Sequence, residues 1–149
     1  EVTAFYDGKI GWLGRERYIA AMTTNALRQV QTEIFQMLFT LVLSNQMPDR
    51  TVCSLGANIV QVTDDKGQGV RLYINEKTAL PSRVAYLSVQ PGGESIMVEQ
   101  TFEDWREYDG IKMPTTYRIR HNGQKFTDMR VTALKFNSGL KVEDLERKP

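Results

Sequence analysis

The chain has 149 residues, of which 41% are hydrophobic and 25% are charged, a composition typical of a folded globular protein. Its 19 basic and 18 acidic residues give a net charge of +1, and the scattered basic residues argue against a nucleic-acid-binding surface. The single cysteine, Cys53, excludes an internal disulfide and is interpreted as a small buried hydrophobe. The length predicts one domain covering residues 1–149.

The N-terminal segment predicts a β-hairpin. Val2–Tyr6 and Lys9–Leu13 flank Asp7-Gly8, a dipeptide that favours a two-residue turn. The chain opens directly in a strand, without an initiator Met or a signal-peptide pattern, so we interpret it as a processed or truncated product. Gly14–Met22 is predicted to be a polar connection.

One long helix is predicted from about Asn25 to Ser44. Thr24-Asn25 offers an N-cap, apolar residues then recur at helical spacing, and Asn45 and Pro48 end the helix. The second half is apolar almost all round, yet it is shorter than the roughly 20 apolar residues that cross a bilayer. Two interpretations follow: a core helix packed on a sheet, or a helix that lids an apolar cavity.

The segment from Thr51 to Phe136 predicts one antiparallel meander. Polar and glycine-rich turns separate short runs of Val, Ile, Tyr, Thr and Phe, and these turns leave no room for crossover helices. With the N-terminal hairpin, the pattern predicts about nine strands. The expected fold class is therefore mainly β with one long helix, an α+β domain. The turns are Asp64-Asp65-Lys66-Gly67, Asn75-Glu76-Lys77-Thr78, Gln90-Pro91-Gly92-Gly93, Tyr108-Asp109-Gly110 and His121-Asn122-Gly123.

Catalytic patterns are absent from the sequence. His121, the single histidine, precedes Asn122-Gly123 and is expected at an exposed hairpin tip, without a second residue to orient it as a base. Glu103 and Asp104 are adjacent on a strand and would point to opposite faces. No glycine-rich phosphate loop precedes a helix, and no serine is framed as a nucleophile. We predict no catalytic residue, no metal site and no cofactor.

Three stretches together resemble a known family. Asp7–Trp12 (DGKIGW) resembles a "DGKxGW" hairpin, Phe102–Pro114 (FEDWREYDGIKMP) resembles "YxDYREVDGVKxP", and Leu134–Pro149 resembles "xxFN…LFEKP". In this order, the motifs are similar to those of bacterial outer-membrane lipoprotein-sorting proteins, the LolA-like periplasmic carriers. The resemblance implies a curved antiparallel half-barrel with helices on its concave apolar face. It also implies shielding of lipoprotein acyl chains in the periplasm.

The resemblance carries two departures. The family's first helix and early strands are expected before Glu1, together with an arginine linked to cargo release, and Glu146 stands where an aromatic residue is usual. Without those early strands, Val2–Tyr6 would have an unpaired side, so we expect self-association through that edge strand or through the apolar helix. The implied location is the periplasm or cell envelope.

A flexible apolar lining is the expected binding site. Methionine repacks readily around irregular apolar shapes, so a curved sheet rich in Met and aromatic residues suits an acyl chain. The leading hypothesis is a non-enzymatic envelope module that binds a hydrophobic ligand or a lipoprotein acyl chain. The alternatives are a structural or interaction domain whose cavity is filled by its own helix, and an enzyme of unrecognised type. The candidate lining residues are Phe35, Leu38, Phe39, Met97, Phe102, Met113, Tyr117 and Met129.

Overall fold

The computed structural model describes residues 2–15, 18–89, 93–136, 139 and 141. The chain divides into two compact units, one built from residues up to Thr40 and the other from Leu41–Phe136. The assignment of the whole chain to a single domain stays a prediction. The predicted turn at Gln90-Pro91-Gly92-Gly93 falls largely outside the described residues. The C-terminal motif from Asn137 onwards also lies outside them, apart from positions 139 and 141.

The first unit contains a three-stranded antiparallel sheet in the order β1-β2-β3. Its strands are β1 (Val2–Tyr6), β2 (Gly11–Arg15) and β3 (Tyr18–Ala21). The predicted hairpin is confirmed, and Val2–Tyr6 is indeed at the edge of its sheet. The prediction of a polar connection over Gly14–Met22 is wrong, because Tyr18–Ala21 pairs with β2 as a third strand.

The turn between β1 and β2 centres on Gly8-Lys9 rather than on Asp7-Gly8. The Asp7 carboxylate accepts hydrogen bonds from the amides of Lys9 (2.7 Å) and Ile10 (2.8 Å), and Gly8 adopts a φ of 102°. These backbone bonds hold the pKa of the Asp7 carboxyl below its usual value. Aspartate therefore flanks this turn as an acceptor, and glycine supplies the positive φ.

The predicted long helix is broken. The structure has α1 (Thr24–Gln36), α2 (Leu38–Val42) and a short 3-10 helix (Ser44–Gln46). The N-cap is Thr23, whose hydroxyl accepts a hydrogen bond from the amide of Ala26 at 3.3 Å. The predicted cap at Thr24-Asn25 therefore lies one residue too late.

The break occurs at Met37, which takes an extended conformation with a ψ of 138°. The hydroxyl of Thr40 lies within hydrogen-bond distance of the carbonyl oxygens of Ile34 (2.5 Å), Phe35 (3.2 Å) and Met37 (2.8 Å). The last carbonyl groups of a helix lack intrahelical hydrogen-bond donors, and here the Thr40 hydroxyl is a donor for the carbonyl groups at the end of α1. A continuous apolar pattern therefore does not guarantee a continuous helix.

The second unit is a seven-stranded antiparallel sheet in the order β10-β9-β8-β7-β6-β5-β4. Each strand pairs with its neighbours in sequence, so the predicted meander is confirmed without a parallel pair among the described strands. The last strand ends at Arg130 instead of the expected Phe136. The strands are β4 (Arg50–Ser54), β5 (Ile59–Asp64), β6 (Gly69–Ile74), β7 (Pro81–Val89), β8 (Ser95–Tyr108), β9 (Ile111–His121) and β10 (Gln124–Arg130).

The core of this sheet lies on one face. Val62 on β5 pairs directly with Val70 on β6, and Val84 lies on the next strand, β7. Each of these three valines is at most 1% exposed. Leu72 shares that face through its pairing with Val84. Burial alternates along the first part of β6, since Val70 and Leu72 are buried and the intervening Arg71 is exposed.

The two edges of the seven-stranded sheet differ. On β4, residues 51–54 are exposed, uncharged and paired with β5 in continuous register. On β10, Lys125, Asp128 and Arg130 carry charge, and the pairing with β9 shifts between Lys125 and Thr127. Charges and bulges are the devices by which natural sheets blunt their edges. Cys53 lies on the unprotected edge and is exposed, so its interpretation as a buried hydrophobe is wrong.

Candidate ligand-binding face

Cross-strand pairing brings three of the candidate residues into one row. Phe102 on β8 pairs with Tyr117 on β9, and Tyr117 pairs with Met129 on β10. Directly opposite residues of antiparallel strands share a face, so these three side chains lie side by side. We call Phe102, Tyr117 and Met129 the apolar row.

The apolar row runs from the interior to the surface. Phe102 is 5% exposed, Tyr117 is half-buried and Met129 is 46% exposed. The rings of Phe102 and Tyr117 meet edge to face, with centroids 5.7 Å apart and planes at 88°. Trp105 makes a second edge contact with Phe102, at 6.5 Å between centroids. Such aromatic contacts fix the inner end of the row, and the methionine at its outer end stays accessible.

Burial raises the pKa of the Tyr117 phenol above its ordinary value. Desolvation disfavours the charged form of any acid, and a phenolate here would sit between Phe102 and Met129. The residue therefore stays neutral through the physiological range and presents an apolar ring to the row.

Two further candidates from the sheet have different positions. Met113 is 8% exposed and lies four residues before Tyr117 on β9, so it continues the same face into the core. Met97 lies on the opposite face, because it is separated from Phe102 by five positions on β8 and pairs with Leu87. Both Met97 and Leu87 are exposed, at 39% and 63%. The structure therefore does not bring Met97 together with the apolar row.

The three helical candidates belong to the first unit. Phe35 is buried near the end of α1, Leu38 is half-buried at the start of α2, and Phe39 is 42% exposed. Their expected role as the cover of a sheet groove stays a prediction.

The face opposite the apolar row carries two ion pairs beside the exposed Leu87 and Met97. Ion pairs join Arg83 to Glu99 (2.7 Å) and Arg118 to Glu103 (3.0 Å), each across neighbouring strands. Arg83 also lies 4.0 Å from the ring centroid of Tyr73. These side chains are substantially exposed, so they favour solubility of this face more than stability of the fold. The two faces therefore differ in their ion pairs, which lie on the side away from the apolar row.

His121 does not stand alone at a hairpin tip as expected. It is the last residue of β9, half-buried, and its ring stacks on Phe126 at 4.0 Å between centroids and 14° between planes. Within the described residues, no group of three His, Cys, Asp or Glu side chains is placed to hold a metal ion. No described helix has the length and hydrophobicity needed to cross a membrane.

A strained residue adjoins the apolar row. Asp104, two positions after Phe102, has a φ of 55° in the middle of β8. The Thr116 hydroxyl donates to its carboxylate at 2.7 Å, and the buried Thr115 hydroxyl donates to its carbonyl oxygen at 2.8 Å. Left-handed conformations of non-glycine residues inside strands persist where their surroundings fix them. Sequence reasoning missed this residue, since nothing in the pattern FEDWRE marks a left-handed position.

A cavity of about 250 Å³ opens beside Asp104, within the second unit. The cavity forms where β10 ends. There the Val131 amide donates a last hydrogen bond to the Thr115 carbonyl oxygen (2.8 Å), and the chain then leaves the sheet. The sequence did not predict this cavity. Its lining residues are Asp104, Arg106, Thr115, Arg130, Val131 and Thr132.

Comparison with known proteins gives no assignment. The chain matches no family model, no curated protein and no solved structure.

Proposed function

We propose that this chain is a non-enzymatic binding module of the cell envelope that holds a hydrophobic ligand or an acyl chain on the apolar face of its seven-stranded sheet. The observation that carries the proposal is the apolar row, which continues from a buried phenylalanine to a 46% exposed methionine on hydrogen-bonded neighbouring strands. A row that begins in the core and ends in solvent offers an apolar ligand a continuous contact surface.

The finer fold belongs to the same proposal. The sheet is taken to be a curved LolA-like half-barrel, with α1 and α2 over its concave face. Two supports are the antiparallel order of the seven strands and the position of the FEDWREYDGIKMP motif, which spans the β8–β9 hairpin beside the apolar row. The envelope location and the carrier role rest on that resemblance, since fold alone does not fix function.

The physical gain from such binding is substantial. Each methylene moved from water into an apolar contact contributes about 0.8 kcal/mol. A chain of a dozen carbons that is only partly covered by the row therefore gains several kcal/mol before the cost of ordering. Methionine at the exposed end adapts to the ligand at little cost, because its three side-chain torsions repack easily.

A second candidate is a structural or interaction domain with a closed core. The observation that favours it is the burial of Val62, Val70 and Val84, each at most 1% exposed, in the centre of the same sheet face. Under this alternative, the exposed end of the apolar row is covered by another protein instead of a lipid. The two candidates therefore differ in whether the isolated chain binds an apolar small molecule.

The test uses a neutral fluorescent probe, N-phenyl-1-naphthylamine, with the whole chain. We expect saturable binding and displacement by a long-chain fatty acid. Met129→Glu should abolish probe binding without unfolding the sheet, because Met129 is already half-exposed. Leu87→Glu is the matched control, since Leu87 is also exposed but lies on the opposite face, and it should bind the probe like the parent chain.

The outcomes separate the candidates. Loss of binding in Met129→Glu, with Leu87→Glu unaffected and both circular-dichroism spectra unchanged, supports the binding module. A native chain without saturable binding would instead favour the closed structural domain. Equal loss in the two variants would mean that the probe reads general surface hydrophobicity, and the apolar row would then have no special role.

A further inference from the structure

We propose that the cavity beside Asp104 is the head-group subsite of the apolar row, so that the ligand is an amphiphile with an oxyanion head, a carboxylate or a phosphate. This inference rests on the proposed function, because it assigns the ligand class of the same face. It adds a polar anchor and a direction for the bound chain. It also explains why a strained residue lies beside an apolar row.

The first support is position. Tyr117 pairs with Met129, and Thr115 and Val131 form the next contact on the same side of the β9–β10 ladder, joined by a backbone hydrogen bond of 2.8 Å. Alternate residues of a strand share a face and are about 7 Å apart. Thr115 and Val131 both line the cavity. Arg130 follows Met129 and pairs with Thr116, so it belongs to the other side of the ladder, and the cavity opens at the end of β10, one step beyond the apolar row, where residues of both sides line it.

The second support is charge. The lining residues include two arginines, Arg106 and Arg130, and one aspartate, Asp104, all three exposed, and their formal charges sum to +1. In the described part of the chain, neither arginine has an ion pair or a side-chain hydrogen bond, whereas Arg83 and Arg118 each have a carboxylate partner. Planar guanidinium groups recognise carboxylate and phosphate oxygens through paired hydrogen bonds.

The third support is the way in which Asp104 is held. Its carbonyl accepts the hydroxyl of Thr115, a lining residue, and its carboxylate accepts the hydroxyl of Thr116. The guanidinium groups of Arg106 and Arg130, together with the Thr132 hydroxyl, are then the side-chain donors for an incoming oxyanion. Asp104 offsets one of the two positive charges, and the remaining net positive charge favours an anion.

The experiment compares amphiphiles of equal chain length as competitors of the neutral probe at pH 7.5. Dodecanoate and dodecyl phosphate carry the oxyanion head, and dodecanol lacks it. We expect either oxyanion to displace the probe at a concentration about tenfold or more below that of the alcohol, since one charge-assisted hydrogen bond corresponds to roughly that factor. Comparing the two anions distinguishes a carboxylate ligand from a phosphate ligand.

Variants assign the preference to the cavity. The double variant Arg106→Gln, Arg130→Gln should lower the oxyanion preference to about that of the alcohol, while dodecanol binding stays unchanged. Asp104→Asn retains an acceptor for Thr116 and removes one negative charge, so it should strengthen oxyanion binding several-fold. Arg71→Gln is the matched control, because Arg71 is an exposed arginine of β6 outside the cavity, and it should leave the preference intact.

Each contrary result has a distinct meaning. If the probe binds but the alcohol and the oxyanions compete equally, the head-group subsite is overturned and the proposed function stands. A preference that persists in the double arginine variant also overturns it. If inorganic phosphate alone binds as tightly as dodecyl phosphate, the tail contributes nothing and the amphiphile assignment falls. Failure of the native chain to bind the probe at all removes both proposals together.

Discussion

The exposure gradient along the apolar row predicts two very different costs of truncation. Phe102 is 5% exposed and contacts the rings of Tyr117 and Trp105, so Phe102→Ala should destabilise the second unit by about 3–5 kcal/mol. A fully buried methionine side chain contributes about 1.5–3 kcal/mol. Met129 keeps 46% of its surface exposed, and alanine retains the β carbon, so Met129→Ala should cost only about 1 kcal/mol.

Urea denaturation followed by tryptophan fluorescence measures the difference. A Trp12→Phe background leaves Trp105, which contacts Phe102 in the second unit, as the reporter. With a denaturant slope of about 2 kcal/mol per molar, the midpoint should fall by roughly 2 M for Phe102→Ala and about 0.5 M for Met129→Ala. Equal decreases of the urea midpoint in the two variants would refute the reasoning, because Met129 would then be buried in the core and not lie at the accessible end of the apolar row.

Three further predictions concern local features. Thr40→Val should destabilise the first unit by about 1–2 kcal/mol in thermal melts, because the carbonyls at the end of α1 lose their hydroxyl donor, whereas Thr40→Ser should be near neutral. Gly11→Ala should cost about 1–3 kcal/mol by the same assay, since a β carbon would collide with the Met22 side chain and the Phe5 carbonyl; a neutral result would mean that Met22 moves freely. The raised pKa of Tyr117 means that the folded state holds its phenolic proton more tightly than the unfolded chain. This contribution to stability is therefore fully present below about pH 10, the ordinary tyrosine value, and is lost as pH rises through the folded pKa. Tyr117→Phe should abolish that part of the alkaline loss in denaturant midpoints, and an unchanged profile would contradict the assignment.

Local turn chemistry made much of this fold predictable. Asp64 accepts bonds from the amides of Lys66 and Gln68, and Asn75 does the same for Lys77 and Thr78, so these breaks could be recognised from residue type alone. The strands between them follow from β-branched and aromatic residues, and their order follows from the short connections. The antiparallel order of the seven-stranded sheet is therefore predictable from local patterns alone.

The features that the sequence did not predict depend on interactions between residues that are distant in sequence, or whose residue types do not indicate the interaction. The helix breaks because one threonine hydroxyl serves carbonyls three to six residues earlier, which an apolar periodicity does not reveal. Strand β3 has a sequence, YIAA, that becomes a strand through pairing with β2. The cavity forms from residues on three segments separated by up to about thirty positions, and no local pattern unites them.

The position of Met97 on the face opposite the apolar row has a simple cause. Met97 and Phe102 lie on the same strand at an odd separation, so strict alternation places them on opposite faces. Tyr117 and Met113 are an even number of positions apart and share a face. Parity along the predicted strand is therefore sufficient to separate Met97 from the face of the apolar row.

The unequal edges of the seven-stranded sheet limit the kind of assembly that this unit can build. Joining β4 of one copy to β10 of the next would repeat without end, but the charged and shifted β10 edge opposes it. Joining β4 to β4 uses the same edge of both copies, and a two-fold arrangement of this kind closes on itself. We therefore expect that association through this sheet, if it occurs, would stop at a pair instead of growing into a filament. Cys53 lies on that same strand with an exposed thiol. In such a pair, oxidation of the two Cys53 thiols to a disulfide would be a way to detect the pairing of the two β4 strands.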